Sequence, residues 1–114
     1  MAAQNDLPGG FEQLVMLAVT RLSDNAYGMT VRAELEERTG RRVSLGAVYS
    51  TLDRLEAKGY VSSRQAQGGA EREGRARRFF KVTAAGVRAL NEGIAALDRM
   101  REGVASFPKP ARAT

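Results

Sequence analysis

The side chains best equipped for chemistry in this sequence are hydroxyls, phenols and guanidinium groups. Ser44, Tyr49, Ser50 and Arg54 lie within SLGAVYSTLDRLEAKGYV, and Arg64, Arg72, Arg75, Arg77, Arg78 and Lys81 follow it. Such groups donate hydrogen bonds and pair with anions; they make and break no bonds unaided. Cysteine and histidine are both absent, which removes disulfides, thiolate and imidazole metal sites, and histidine acid/base or Ser/His nucleophilic chemistry. Glu34, Glu36 and Glu37 share a segment with Arg32, Arg38 and Arg41 and have no metal partner or phosphate loop beside them, so they read as a solvated helix face. GGAEREG lacks the G-x-x-x-x-G-K-[ST] spacing of a nucleotide loop. No enzyme activity, cofactor or metal is expected.

Composition sets the frame for those groups. A chain of 114 residues has material for one domain with one modest core. Its net charge of +5 comes mostly from arginine, 15 Arg against 3 Lys, which suits an anionic partner without specifying one. No run approaches the roughly 18 apolar residues of a membrane span. The start, MAAQNDLPGG, has neither a basic n-region nor an apolar h-region, so a cytoplasmic location and no membrane partner are expected.

Four helices and two strands must position these groups. Phe11, Leu14, Val15, Ala18 and Leu22 recur at helical spacing and predict a helix over 11–22 after a frayed arm, residues 1–10. Ser23-Asp24-Asn25 is a turn cluster. The second helix runs from Tyr27 to Arg38 with Val31 and Leu35 inward, and Gly40 stops it. Ser44 fits the N-cap of a third helix that continues to Lys58, with Gly59 as its stop. Tyr60–Gln65 and Arg77–Thr83 read as strands joined by the polar, glycine-rich QGGAEREG, a long mobile tip. Thr83 caps a final helix.

On the third helix, Leu45, Val48, Leu52 and Leu55 share one face, while Gly46, Ser50, Asp53 and Ala57 form the opposite one. Small residues on an exposed face let a rigid body approach the backbone, and the helix N-terminus favours phosphate. Taken alone, the helix leaves two readings open: clearance for a partner, or close packing of Gly46 and Ala47 against the second helix or the arm. Its neighbours favour the first. Helix, turn, helix and a basic hairpin make a winged helix-turn-helix, α+β and mostly α, in which the second helix of the pair enters the DNA major groove. Six cations against two acids between Arg64 and Lys81 suit a wing that grips phosphate.

The sequence also resembles the PadR-like family of bacterial transcriptional regulators. AYGMTVRAELEERTG, VSLGAVYSTLDRLEAKGYV and RRFFKVTAAGVRAL carry the likeness, which covers Phe11 to Leu97, and Tyr27-Gly28 matches the family's usual opening of the second helix. The resemblance implies a homodimer that represses transcription at a two-fold-related operator in double-stranded DNA, often beside a transporter or stress gene. By position, Tyr49 and the small residues around it would face DNA, with Arg78 and Lys81 flanking the wing. Many members are relieved by small aromatic or drug-like ligands, so a small-molecule inducer is an expected partner. Multidrug-responsive relatives stack planar ligands between aromatic residues at the dimer interface, commonly tryptophan. This chain has no Trp, and its last helix has no aromatic residue before Phe107.

The full expectation is as follows. Residues 11–83 form the winged helix-turn-helix domain, 84–107 the C-terminal dimerisation helix and 108–114 a disordered tail. Ser44, Gly46, Ala47, Tyr49, Ser50 and Arg54 form the recognition surface, and Arg72, Arg75, Arg77 and Arg78 the wing. Val87, Leu90, Ile94, Leu97 and Val104 recur as an a/d seam with Arg101 in one a-type position. Val87 and Leu90 are expected to meet the protein's own core at least in part, while Leu90, Ile94, Leu97, Arg101 and Val104 supply the dimer contact. The alternative is a winged-helix module that docks an acidic protein surface.

Overall fold

Each helix begins and ends where its capping chemistry places it. The computed structural model describes residues 7–66 and 77–104. Helix α1 spans Gly10–Leu22, a 3-10 turn follows at Ser23–Asn25, and α2 spans Gly28–Thr39. Gly40 ends α2 in the left-handed conformation, φ 73°, which glycine adopts without a Cβ penalty. Helix α3 covers Leu45–Ala57, β1 Val61–Ala66, β2 Arg77–Val82 and α4 Ala84–Arg101. Ser44 and Thr83 both act as N-caps, their hydroxyl oxygens accepting from the N–H of Ala47 and Gly86 at 3.0 Å. The expected tip, with Arg72 and Arg75, lies outside the described residues, as do residues 1–6, Phe107 and the tail.

Val15, Met16 and Val19 of α1, Val31 and Leu35 of α2, and Val48, Leu52 and Leu55 of α3 meet in one core. Val61 and Phe80 close it from the sheet side and Leu90 from α4. Complete burial of Leu52 and Leu55 stabilises the fold by about 1.5–3 kcal/mol each. Leu45, expected inward, is only half-buried, and Thr51 takes its place in the interior.

Strands β1 and β2 pair antiparallel from Val61↔Val82 to Ala66↔Arg77. The chain before α2 adds a short third rung, because the Phe80 N–H donates to the Ala26 carbonyl at 2.8 Å and Tyr27 bridges Phe79. Side chains alternate along β2. Phe80 is buried and Arg78 reaches α3, whereas Arg77 and Lys81 are exposed.

Two sequence expectations need correction. The arm is not frayed to residue 10: Pro8 is buried, its carbonyl accepts from Gln13 Nε2, and the Gly9 N–H donates to Glu12 Oε1 at 2.9 Å. On α4 the roles of the large residues are rearranged. Leu90 is buried in the protein's own core at 6% exposure, so it is not part of a free seam, while Val87 is 47% exposed. Small residues make the close contact with the head. A Cβ at Gly86 would fall on the Tyr60 carbonyl, and one at Gly93 would strike the Gln13 side chain.

Among the described residues, Glu12 is the one buried carboxylate, and it ties elements together. It accepts from the Gly9 N–H, from Arg54 Nε at 3.0 Å and from Lys58 Nζ at 3.2 Å, joining the start of α1 to the second half of α3. Burial works to raise its pKa. The Gly9 N–H and the Arg54 and Lys58 cations outweigh that effect and hold it below the ordinary value of 4.5. A depressed folded-state pKa contributes stability that is present above the unfolded value and is lost as pH falls through the folded one. Glu12→Gln should therefore cost about 1–2 kcal/mol at neutral pH, the low end for a charged hydrogen bond because Arg54 is open to water. That difference should shrink as pH drops below the ordinary carboxylate value; urea denaturation of both proteins at pH 7 and pH 3.5 checks it, and a pH-independent difference would refute the assignment.

Candidate nucleic-acid interface

Gly46 and Ser50 lie on the bare side of α3. Both are exposed, and nothing comes within 4 Å of where a Cβ at Gly46 would sit. Close packing therefore does not account for this glycine. Ala47 is different: half-buried, it lines a cleft with Phe11, Leu14, Leu35 and Val43, so it packs toward α1 and α2 as the other reading supposed. The Ser44 oxygen accepts the capping N–H and keeps its own O–H to donate, while the Ser50 hydroxyl makes only a long 3.4 Å bond to the Ala47 carbonyl. Ser50 keeps a hydroxyl for an outside partner.

The two larger candidates on α3 are held by the protein. The Tyr49 ring lies against Gly28 at the first turn of α2, where any Cβ would overlap it. Glycine at 28 thus seats a half-buried tyrosine between the two helices of the helix-turn-helix. Arg54 bonds to Glu12 through Nε and to Thr51 Oγ1 through Nη2 at 3.3 Å, yet its side chain is 53% exposed. Its outer N–H groups remain open to solvent in a fixed direction.

Successive residues of β2 have different surroundings. Arg77 is exposed, with its guanidinium 4.5 Å from the Tyr27 ring centroid. Tyr27 meets Phe79 edge-on at 5.3 Å, and Arg64 covers Phe79 at 5.0 Å. Such stacking contributes about 0.5–1 kcal/mol at exposed sites and leaves the in-plane N–H groups free for an anion. Arg78 instead turns toward α3 and spends its donors on Asp53, Glu56 and Ser63. Arg72 and Arg75 belong to the segment outside the described residues.

Arg41 and Arg42 are exposed beside the N-terminus of α3. Neither guanidinium has a hydrogen-bond or ion-pair partner among the described residues. A doublet of arginines two and three residues before the Ser44 N-cap was the available signal. Glu36, by contrast, is structural in part, since its carboxylate accepts from the Val43 N–H at 2.8 Å and so orients this link. Among the described residues no cluster of acids could hold a metal ion, and no helix is long and apolar enough to cross a membrane. The arrangement is suited to recognition: a bare helix face, free cations on either side of it and fixed donors at its edge.

Comparison with known proteins agrees with this geometry. A transcriptional regulator of Mycobacterium tuberculosis, Rv3488, is 42% identical over 83 residues, which span 72% of this chain and 73% of that protein. The crystal structure of a PadR family transcriptional regulator from Eggerthella lenta superposes with a TM-score of 0.67 at 28% identity, covering 83% of this chain and 80% of that one. A PadR-like transcription factor from Bacteroides fragilis shares the fold at a TM-score of 0.72 and 24% identity, over 86% and 89% of the two chains. The sequence profile of the transcriptional regulator PadR-like family matches residues 16–92. With that match across most of the chain and the winged helix-turn-helix beneath it, the protein belongs to the PadR-like family of DNA-binding transcriptional regulators.

Proposed function

We propose that this regulator is a repressor that binds a two-fold-related operator as a homodimer and controls an adjacent transporter or stress gene. The observation that carries the reading is the unobstructed Gly46–Ser50 face of α3, held from behind by a fully buried ridge. Helix α3 enters the major groove with its N-terminal half leading. Gly46 gives clearance, Ser50 and Arg54 meet base edges or phosphate, and Tyr49 and Ser44 lie at the groove wall. Arg41 and Arg42 contact the backbone at the start of the helix, and Arg77, with Arg72 and Arg75, extends the grip along the wing.

The dimer reading rests on α4. Past Gly93 its apolar residues face water: Ile94 is 36% exposed, Leu97 57% and Met100 77%, and Val104, beyond the helix end at Arg101, is 49% exposed. Arg101 lies among them, 3.7 Å from Asp98. A second copy seated there buries this stripe and sets the recognition helices about one DNA turn apart.

Two measurements test these statements. Gly46→Leu adds helix propensity of roughly 0.8–1 kcal/mol and meets open space, so its melting temperature should hold or rise. Its affinity for a duplex selected by the wild-type protein from a randomised pool should nevertheless fall at least about tenfold, a loss of roughly 1.4 kcal/mol. Undiminished binding in fluorescence anisotropy at about 150 mM salt would remove α3 from the interface. In the second test, Leu97→Glu should weaken self-association about 10- to 100-fold, the worth of one buried leucine. Sedimentation that shows wild type and variant equally monomeric, or equally dimeric, would dismiss this stripe as the contact.

A further inference from the structure

We infer that Arg78 is a positioning residue for DNA binding, one that acts through Asp53 and Glu56 of α3 and not through a phosphate. The inference rests on the recognition-helix reading above and assigns to one wing arginine a different role within it.

Three N–H groups of Arg78 converge on groups around α3. Nη1 lies 3.2 Å from Asp53 Oδ1, Nη2 2.6 Å from Glu56 Oε1, and Nε 3.4 Å from Ser63 Oγ. Ser63 in turn donates to Glu56 Oε2 at 2.8 Å, which closes a ring of bonds between strand and helix. The Phe80 ring covers one side of the guanidinium at 4.9 Å. A planar five-donor group spread over two carboxylates and a hydroxyl is a geometry that lysine cannot reproduce. Arg77, one residue earlier and on the other sheet face, has no ion-pair partner among the described residues and stays exposed.

The carboxylates explain why DNA binding would depend on this clamp. Asp53 is 60% exposed and lies on the same helical face as Gly46 and Ser50, with Glu56 beside it at 35%. Left alone, two acids at the edge of that face would repel the polyanion brought against it. Arg78 cancels one of the two charges. It also spans 25 and 22 residues of sequence to join β2 to the second half of α3. The angle between wing and helix is fixed before DNA arrives, so both can engage at once without being ordered at that moment.

The test is a double-mutant cycle with a fluorescein-labelled duplex selected from a randomised pool, run on wild type, Arg78→Ala, Arg78→Lys, Asp53→Asn/Glu56→Gln and the triple variant. Circular dichroism confirms that each is folded. Arg78→Ala and Arg78→Lys should each weaken binding about tenfold or more, whereas in the Asp53→Asn/Glu56→Gln background Arg78→Ala should cost less than about threefold. Arg77→Ala should lower the slope of log affinity against log salt by about one, and Arg78→Ala in the neutralised background should leave it unchanged. Equal losses from Arg78→Ala in both backgrounds, or full retention by Arg78→Lys, would overturn the inference in favour of a phosphate contact. Hydrogen exchange of the free protein supplies a reading that needs no DNA: the Ser63 and Phe80 amides should exchange about tenfold faster in Arg78→Ala. Unchanged exchange refutes the clamp, while failure of wild type to bind any duplex would refute the proposed function and leave the exchange result to decide the clamp.

Discussion

A helix that is to lay one face against a rigid duplex has to be fixed by its other face and its flanks alone. Helix α3 meets that constraint with thirteen residues. Val48, Thr51, Leu52 and Leu55 form a ridge that is almost completely removed from water, while Gly46 and Ser50, about half a turn away, touch nothing that would hinder a partner. Neither property is useful without the other. A shallower ridge would let the helix roll, and a bulkier outer face would hold the duplex off. The first turn spends helix propensity to keep that face bare, since Gly46 costs about 1 kcal/mol relative to alanine. Burial of the ridge, at roughly 1.5–3 kcal/mol for each large side chain, exceeds that cost several-fold.

Charge completes what packing begins, and it does so with opposite polarity on the two flanks. Toward α1, a buried acid receives two cations of α3: Glu12 binds Arg54 and Lys58. Toward the wing, one cation of β2 binds two acids of α3: Arg78 meets Asp53 and Glu56. Exposed ion pairs contribute little each, but these two networks are tied into backbone and hydroxyl groups, through the Gly9 N–H on one side and Ser63 on the other. They also limit the free charge near the recognition face. Arg77, Arg41 and Arg42 are among the described cations with no acid partner, and Arg41 and Arg42 lie beside the N-terminus of α3 while the paired ones stiffen the frame.

Much of this was legible in the sequence because it is local. Caps at Ser44 and Thr83 and the left-handed stop at Gly40 depend on residues within a few positions of one another, and each formed where the sequence put it. What escaped depends on distance along the chain. Glu12 finds its partners 42 and 46 residues away, and no periodicity marks a lone glutamate on an otherwise apolar helix as a hub. Arg78 looked like its neighbours in a basic run until the strand's alternation turned it inward. Tyr49 was expected to face DNA, and nothing local shows that Gly28, 21 positions earlier, leaves room for its ring.

Helix α4 shows why hydrophobic pattern and burial can part company. The sequence reading followed its large apolar residues, placing Val87 and Leu90 on the protein's own core; Leu90 is there, but Val87 is exposed. The surface that meets the head is instead Gly86, Ala89, Leu90 and Gly93, where an added carbon at Gly86 would collide with the Tyr60 carbonyl and one at Gly93 would press on the end of the Gln13 side chain. Hydrophobic periodicity is blind to glycine, yet close approach of backbones selects for it. Leu97 and Met100 continue nearly the same angular line one to two turns further on, at 100° per residue, after the helix has run past the head. One stripe thus has two environments: a tight, small-residue half that fixes α4 rigidly on α1, and an open, large-residue half with nothing from its own chain to cover it. A body seated on the second half is rigidly connected, through the first, to the same α1 that anchors Glu12 and α3.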